Sequence, residues 1–459
     1  MVTRRTAGLL ALGAATLVAL GAARTPARAA GDGWVTELIA RTDVIAGKVA
    51  KVRGLKLKRP IEKGVVDDAQ LRARILARMD EDTPPAERAV EAAAAKRWGL
   101  VPWATDLDAL VIDLLTEQIA GFYDPRERKL YIASDHAADP TWADMVMAHE
   151  IDHALQDQHF DLERWMKAVD DDDDASAARS AVIEGDGVAL MIEYSLAEQG
   201  LPPPWGEELV VRMMMASMQT SVAGGGAGGG GGTGAGQLFD RAPLALREQM
   251  IFPYQAGVGF VAALRKTQPW SRVDEVFTRR PPASTEQILH PELYLANARP
   301  IAIAERKPPV VTGLVQLHAA TWGEAGWGSY FRSHGVAVEQ AGSAAAGWGG
   351  DRVVLIGPAD GAAHPTRTTG VALTAWDSEA DALEAWDATG KALEAMVIGA
   401  PLVADEREVR WLGADGRVTA AERRGDRIAI VVGAPFAQWR ALLAGAWTWK
   451  ITAPPARRP

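Results

Sequence analysis

The chain has 459 residues, with 49 Lys plus Arg against 59 Asp plus Glu, a net charge of −10 and no cysteine. At roughly 150 residues per domain this length predicts two or three domains, and a composition that is 48% hydrophobic and 24% charged is globular, not disordered, collagenous or coiled-coil. The missing cysteines exclude disulfides, a cysteine nucleophile, iron–sulfur clusters and thiolate metal sites, and the negative balance argues against nucleic acid as a partner.

Residues 1–29 read as an address. Arg4 and Arg5 precede an apolar run from about Ala7 to Ala23, and Ala27-Arg28-Ala29 supplies a small-residue cleavage site. That is the layout of a secretory signal peptide. The paired arginines hint at the twin-arginine route, although the Phe-Leu that usually follows is absent. The competing reading is an uncleaved anchor, but the run is short and Ala-rich for a helix that needs about 20 apolar residues to span a bilayer. Cleavage removes Arg4, Arg5, Arg24 and Arg28 and no acid, taking the net charge from −10 to −14. The expectation is an exported, periplasmic or extracellular protein with no further membrane span.

The mature chain opens with helical patterns over 34–118. They include a segment from Asp67-Asp68 through Met79, an Ala-rich helix after Pro84-Pro85 to about Trp98, and a third from Leu107 to Ile119. Two apolar runs flanking Asp124-Pro125-Arg126-Glu127-Arg128 then predict a hairpin over 121–134. Asp139-Pro140 starts a helix to about Gln158, with Asp as cap and Pro in the first turn. A second helix runs from about Ala175 to Glu198. The glycine run 223–236 is a flexible loop with no phosphate-binding ending. Helix returns from Ala242 to Lys266. Pro308-Pro309 marks the domain boundary. Beyond it lie strands at Arg352–Ile356, Gly370–Trp376, Glu408–Leu412, Arg417–Glu422 and Arg427–Val432, and a helix capped at Ser378 with Asp381 three residues on. The fold class is therefore α+β: a mainly helical region at 30–310 with a small edge hairpin, then a smaller α+β region at 311–459.

The chemistry sits in His149-Glu150-Ile151-Asp152-His153. Residues four apart share one helix face, so both imidazoles can hold one zinc ion. Glu150, one residue round, reaches the water beside the metal without ligating it. Zinc lowers that water's pKa towards about 7 and the glutamate takes its proton. This is the H-E-x-x-H arrangement of metallopeptidases, set against the bland reading of a polar, exposed helix face. A catalytic zinc needs a third protein ligand and one open position. Glu184 is the candidate, because Ala181, Val188 and Met191 share its face and a carboxylate on an apolar stripe wants a cation. Gly185 and Gly187, costly in mid-helix, fit a close approach of the two metal-bearing helices. The alternative is a glycine-weakened helix with a partly exposed Glu184. Asp186 reads either as a group orienting a ligand histidine or as a surface acid, and Asp152 and Asp157 are weaker candidates for the first role.

These residues resemble the gluzincins, zinc peptidases with H-E-x-x-H and a glutamate ligand on a following helix. The chain is similar, more closely, to a group of exported bacterial gluzincin-like proteins. EQIAGFYDPRERKLYIA (117–133), AHEIDHALQDQHFDL (148–162), IEGD (183–186), FPYQAGVGFV (252–261), STEQILHPELYL (284–295) and AAGWGGDRVVL (345–355) carry the resemblance. It implies a zincin-like domain at 30–310, Zn2+ as cofactor, peptidase activity on a peptide or protein, Glu150 as general base, and His149, His153 and Glu184 as ligands. There are departures. Gly187 stands where the group has alanine, the glycine run looks inserted, and 30 residues separate His153 from Glu184.

An oxyanion donor is also needed. His290 is the first candidate, with Tyr123 and Tyr194 as alternatives, while His136 and His159 read as structural or supporting. Asp170 to Asp174 invite a calcium hypothesis but read as a solvated run at a helix N-terminus. Trp348-Gly349-Gly350-Asp351 reads as a strand-entry turn. Nine of the 16 tryptophans follow residue 320; they are expected in the core, with glycan or peptide binding as the alternative. Two further readings stay beside the peptidase: an envelope binding or scaffold protein with a structural or inactive zinc site, and a zinc amidase acting on cell-wall peptide cross-links.

Overall fold

The computed structural model describes residues 33–135, 140–223, 237–305 and 311–452. The expected signal peptide, His136, Asp139, the glycine run from 224 on and Pro308-Pro309 lie outside them. With 55% helix and 18% strand, a helical N-terminal region and a sheet-rich C-terminal one, the chain is α+β. No helix among the described residues is long and apolar enough to cross a membrane.

Helix α1 (Gly33–Arg53) buries Val35, Leu38, Thr42, Ile45, Ala46, Val49 and Arg53, a stripe of helical period that ends on a cation. Strand β1 (Glu62–Val66) follows. At α2 (Asp68–Asp82) the Asp67 side chain accepts from the Gln70 N–H and the Gln70 side chain accepts from the Asp67 N–H, a reciprocal cap. Helices α3 (Pro85–Arg97) and α4 (Leu107–Gln118) come next. The expected hairpin is β2 (Gly121–Asp124) and β3 (Lys129–Ala133), with Tyr123 opposite Leu130. Its turn is set by Asp124 Oδ1, which accepts from the Arg126 and Glu127 N–H groups. Strand β1, inside the stretch expected to be helical, pairs parallel to β3 and makes the order β1-β3-β2.

Helices α5 (Pro140–Phe160), α6 (Leu162–Lys167), α7 (Asp173–Glu198), α8 (Glu208–Ala223), α9 (Gln237–Arg241) and α10 (Leu244–Arg265) follow, then short α11 (Ser271–Thr278), α12 (Thr285–Leu289) and α13 (Pro291–Leu295). Helices α1, α5, α7 and α10 enclose one core, with Val49, Ile151, Leu155, Val182, Val188, Val258 and Val261 at its centre.

The C-terminal region runs β4 (Ala302–Ala304), β5 (Val315–Ala320), α14 (Gly323–Ser333), α15 (Val338–Ala346), β6 (Trp348–Gly357), β7 (Thr369–Trp376), α16 (Glu379–Met396), β8 (Val403–Ala404), β9 (Glu408–Leu412), β10 (Arg417–Arg424), β11 (Arg427–Pro435), α17 (Trp439–Ala446) and β12 (Lys450–Thr452). Seven strands form an antiparallel sheet in the order β5-β6-β7-β11-β10-β9-β8. Successive residues of a strand face opposite sides. Ala372 and Trp376 of β7 and Ile428 and Ile430 of β11 share a core with Ala385 and Ala388 of α16, whereas Val371, Leu373, Ala429 and Val431 pack with Trp439 and Leu442 of α17. The sequence Trp348-Gly349-Gly350 is the irregular start of β6, not a turn ahead of it.

Two features cross the boundary expected near 310. Strand β4 pairs with β12, and Ile303 packs into the outer core of the C-terminal sheet. The core between the sheet and α16 also takes in Leu71, Trp98, Leu107 and Leu114 from α2–α4. A Cβ on Gly370 would lie 2.7 Å from the Trp98 ring, so the indole rests on the strand backbone. Of the nine late tryptophans, Trp322, Trp327, Trp348, Trp376, Trp386, Trp411 and Trp439 are buried, which places them in the core.

Candidate metal centre

His149 and His153 lie one turn apart on α5, and Glu184 faces them from α7. The His149 and His153 Nε2 atoms are 3.0 Å apart. Glu184 Oε2 is 3.1 Å from His149 Nε2 and 3.5 Å from His153 Nε2. All three residues are buried, and together they form the one group of three or more His, Asp or Glu side chains among the described residues placed to hold a metal ion. Three electron-pair donors converge on one point, and Glu184 Oε1 has no hydrogen-bond partner. A divalent cation fits that donor set.

The supporting contacts settle which imidazole nitrogen faces the centre. Gln156 Nε2 donates to Asp152 Oδ2 at 2.9 Å and to the Ile183 carbonyl at 3.1 Å. The Ile183 carbonyl can only accept, so the amide is oriented with Oε1 towards His153 Nδ1, 3.1 Å away. His153 Nδ1 must then carry the hydrogen, leaving Nε2 for a metal. His149 instead lies flat against α7. A Cβ on Gly187 would sit 2.7 Å from His149 Nδ1 and Cε1, and that nitrogen meets the α7 backbone there without a well-formed hydrogen bond. Glycine at 187 makes room for the ring.

The two glycines thus serve different neighbours. Gly187 faces α5, but Gly185 faces α10: a Cβ on Gly185 would lie 2.1 Å from the Gly257 carbonyl carbon, and one on Gly257 would lie 2.0 Å from the Ala181 oxygen. The backbones of α7 and α10 touch at this crossing.

Electrostatics follow from burial. Burial is the main cause that pushes the Glu150 carboxyl up to about 8; Glu184 adds to it, against the opposing pull of His153 and the Tyr123 N–H. Glu150 Oε2 accepts that N–H at 2.8 Å and its Oε1 is unpartnered. Burial pulls the His153 imidazole down, but the Glu184 carboxylate outweighs it and lifts it to about 10. His149 moves down, through burial and then its charged neighbour His153. Without a metal the pair therefore holds one proton where the cation would stand.

Tyr254 completes the site, and sequence reasoning passed over it. It projects from α10, is buried, stacks on His149 with ring centroids 6.1 Å apart, and its hydroxyl faces Glu184. Burial, then Glu184 and Glu150, raise it well above an ordinary phenol, so it is a donor. An apolar cleft lined by Trp34 and Leu38 of α1, Gly121, Ile132, Ala143 and Met147 reaches Glu150.

Other expected site residues fall elsewhere. His290 is not brought to the cluster: its Nε2 is 2.9 Å from Glu324 Oε1, across the junction with the C-terminal region. The Tyr123 hydroxyl donates to Asp157 Oδ2 at 2.9 Å. Tyr194 lies ten residues past Glu184 on α7, about 15 Å along the helix axis, beside Lys48 and Glu198. His159 Nε2 meets the Lys56 carbonyl. Asp186 is buried and ion-paired to Arg53, so it is not a surface acid. The aspartate run is solvated only in its first half. Asp172 caps α7, but Asp173 and Asp174 are buried, and Asp174 Oδ1 accepts from the Thr285 N–H and hydroxyl because α12 docks there.

Residues 312–443 match a family described as a domain of unknown function (DUF8575). That stretch covers the C-terminal sheet and leaves the His149–His153–Glu184 centre outside it. No curated protein and no solved structure matches the chain.

Proposed function

We propose that the protein is an exported, zinc-dependent hydrolase of the gluzincin type that cleaves peptide bonds in a peptide or protein. The observation that carries this reading is the three-ligand centre with a non-ligating carboxylate, Glu150, beside it and no fourth His, Asp or Glu ligand among the described residues. Tetrahedral zinc with bonds of about 2.0–2.1 Å places its ligand atoms about 3.3 Å apart, and the three separations here are 3.0, 3.1 and 3.5 Å. Zinc would supply Lewis acidity and a more acidic water. The chain's own groups do the rest. Glu150 takes the proton of the attacking water as the C–O bond forms and returns it to the amine as the C–N bond then breaks. The Tyr254 hydroxyl donates to the carbonyl oxygen as charge builds there. Main-chain hydrogen bonding on the β2 edge holds Glu150 in place through Tyr123.

The burial of the centre favours the second reading, a binding or scaffold protein with a structural or inactive zinc site: His149 and Glu184 are 0% exposed and His153 is 6% exposed. Zinc content together with cleavage of an unstructured protein separates the two. Glu150→Gln is expected to keep its zinc and lose about 10²–10⁴-fold in rate; activity that survives it overturns the mechanism. Release of cross-linked wall peptides in place of protein cleavage would move the substrate to the cell wall.

A further inference from the structure

We propose that Arg53, at the end of α1, is a positioning residue for the metal centre: it orients the Asp152–Gln156–Asp186 group that holds His153 with its Nε2 towards the metal. This rests on the metal-binding reading of the cluster and not on hydrolysis. Arg53 is 0% exposed. Its Nε donates to Asp186 Oδ1 and its Nη2 to Asp186 Oδ2, both at 2.9 Å, a two-pronged contact that fixes the carboxylate plane. Nη2 is also 2.8 Å from Asp274 Oδ1, and Nε is 3.8 Å from Asp152 Oδ1. The guanidinium is itself clamped, with its carbon 4.5 Å from the centroid of the Trp270 ring, which Arg265 also contacts at 4.6 Å. The Trp270 indole N–H donates to Glu193 Oε2 at 3.1 Å, so the ring cannot swing away.

From Gln156 on, the links towards the metal are set by donor and acceptor type, while Arg53 and Asp152 are linked by charge at 3.8 Å. Asp152 sits between Arg53 and the Gln156 amide, and that amide, turned by Asp152 and the Ile183 carbonyl, offers only an oxygen to His153 Nδ1. Asp186 and Ile183 also flank Glu184, so the group that orients His153 steadies the third ligand. Arg53 is thus connected to two of the three ligands without touching either. One corollary concerns the N-terminal region, which could otherwise be taken for a removable pro-segment. Excising α1 would strip buried Asp186 and Asp152 of their cation, so α1 belongs to the working protein.

The test uses the full chain. Zn2+ affinity is measured by chelator competition, the d–d spectrum of the Co2+-loaded protein reports ligand geometry, and thermal melting of the metal-free form reports stability. Arg53→Met and Gln156→Met are each expected to weaken Zn2+ binding about 10–100-fold, the range for groups that support a ligand, and to alter the Co2+ spectrum. The double variant should lose little more than the worse single one. Arg53→Lys should recover part of the affinity. Val49→Ala, a truncation on the same buried stripe, should lower the melting temperature and leave affinity and spectrum unchanged. Arg53→Met binding Zn2+ within twofold of the parent, or Val49→Ala weakening it equally, overturns the proposal. If Arg53→Met does not fold, Arg53→Lys combined with Gln156→Met decides: additive losses or an unchanged spectrum reject the link. A parent chain that binds no Zn2+ sinks this proposal and the functional one together, whereas Zn2+ binding without hydrolysis sinks only the latter.

Discussion

The metal-bearing helices and the C-terminal sheet both bury carboxylates, and they satisfy them in opposite ways. In the sheet, Asp351 accepts from the Trp322 and Gly323 N–H groups and from the Trp348 indole, all within 3.1 Å, so neutral donors suffice. Between α5 and α7, Glu184 faces two imidazoles, Glu150 has one backbone donor, and Asp186 faces Arg53. Charge there is balanced by charge, and one positive charge must come from a proton or a metal. A carboxylate closed off by backbone N–H groups is finished chemically; one left facing imidazole lone pairs can take up a cation.

The largest expected effect comes from removing that third ligand. Glu184→Ala should lower metal affinity by more than about 100-fold, beyond what loss of a supporting group costs. Hydrogen exchange should quicken in α5 and α7 while β7 and β11 stay protected. Equal loss of protection in β11 would break the contrast between the two regions. Next is Gly257→Ala, which puts a carbon against the Ala181 carbonyl. Overpacking of this kind costs about 1–3 kcal/mol, and because the crossing positions Tyr254 and Glu184, denaturant midpoint and metal affinity should fall together.

Asp351→Ala should cost about 1.5–3 kcal/mol, the worth of hydrogen bonds to a charged group, with metal affinity unchanged. Burial, outweighing the three N–H donors, pushes the Asp351 carboxyl up to about 6, above an unfolded value of about 3.9. The folded state therefore binds the extra proton between pH 4 and 6, and Asp351 favours folding increasingly as pH falls through that window. The stability difference between parent and Asp351→Asn should change there and be flat above about pH 7. The smallest effect is a proton count. His153, lifted to about 10, must lose its proton to bind a metal, so calorimetry near neutral pH in buffers of different ionisation enthalpy should show release of about one proton. Zero release would mean that the metal-free pair is already neutral.

Much of this was legible in local pattern. Pro140 starts α5, Asp67 with Gln70 and Ser378 with Asp381 open helices as their types predict, and β9 spans Glu408–Leu412 as its alternation suggests. The apolar neighbours of Glu184 pointed it inward, where it is. Arg53 could have been found by the same argument, since it is in phase with Val35, Leu38, Thr42, Ile45 and Val49. What escaped depends on contacts distant in sequence. Tyr254 lies in a stretch that carries the resemblance, 252–261, but its role does not show there; its place follows from Gly257 letting α10 touch α7. His290-Pro291 fixes a turn, but that the turn meets Glu324 is a matter of docking. Asp174 looks solvated until Thr285 arrives 111 residues later, and the five residues of β1 are too few to show a period before β3 pairs with them.

The sharing of one core by α2–α4 and the sheet also sets a timetable. Trp98, just after α3, finds its cover in Trp322, Tyr330 and Gly370, some two to three hundred residues downstream. At about 5–20 residues per second of synthesis, these helices wait roughly 15–60 s with an uncovered apolar face. A segment made early is among the last to be closed over. A chain truncated before α14 leaves Trp98 permanently bare, so nascent-chain losses should concentrate around α3 even when the lesion lies in the C-terminal region.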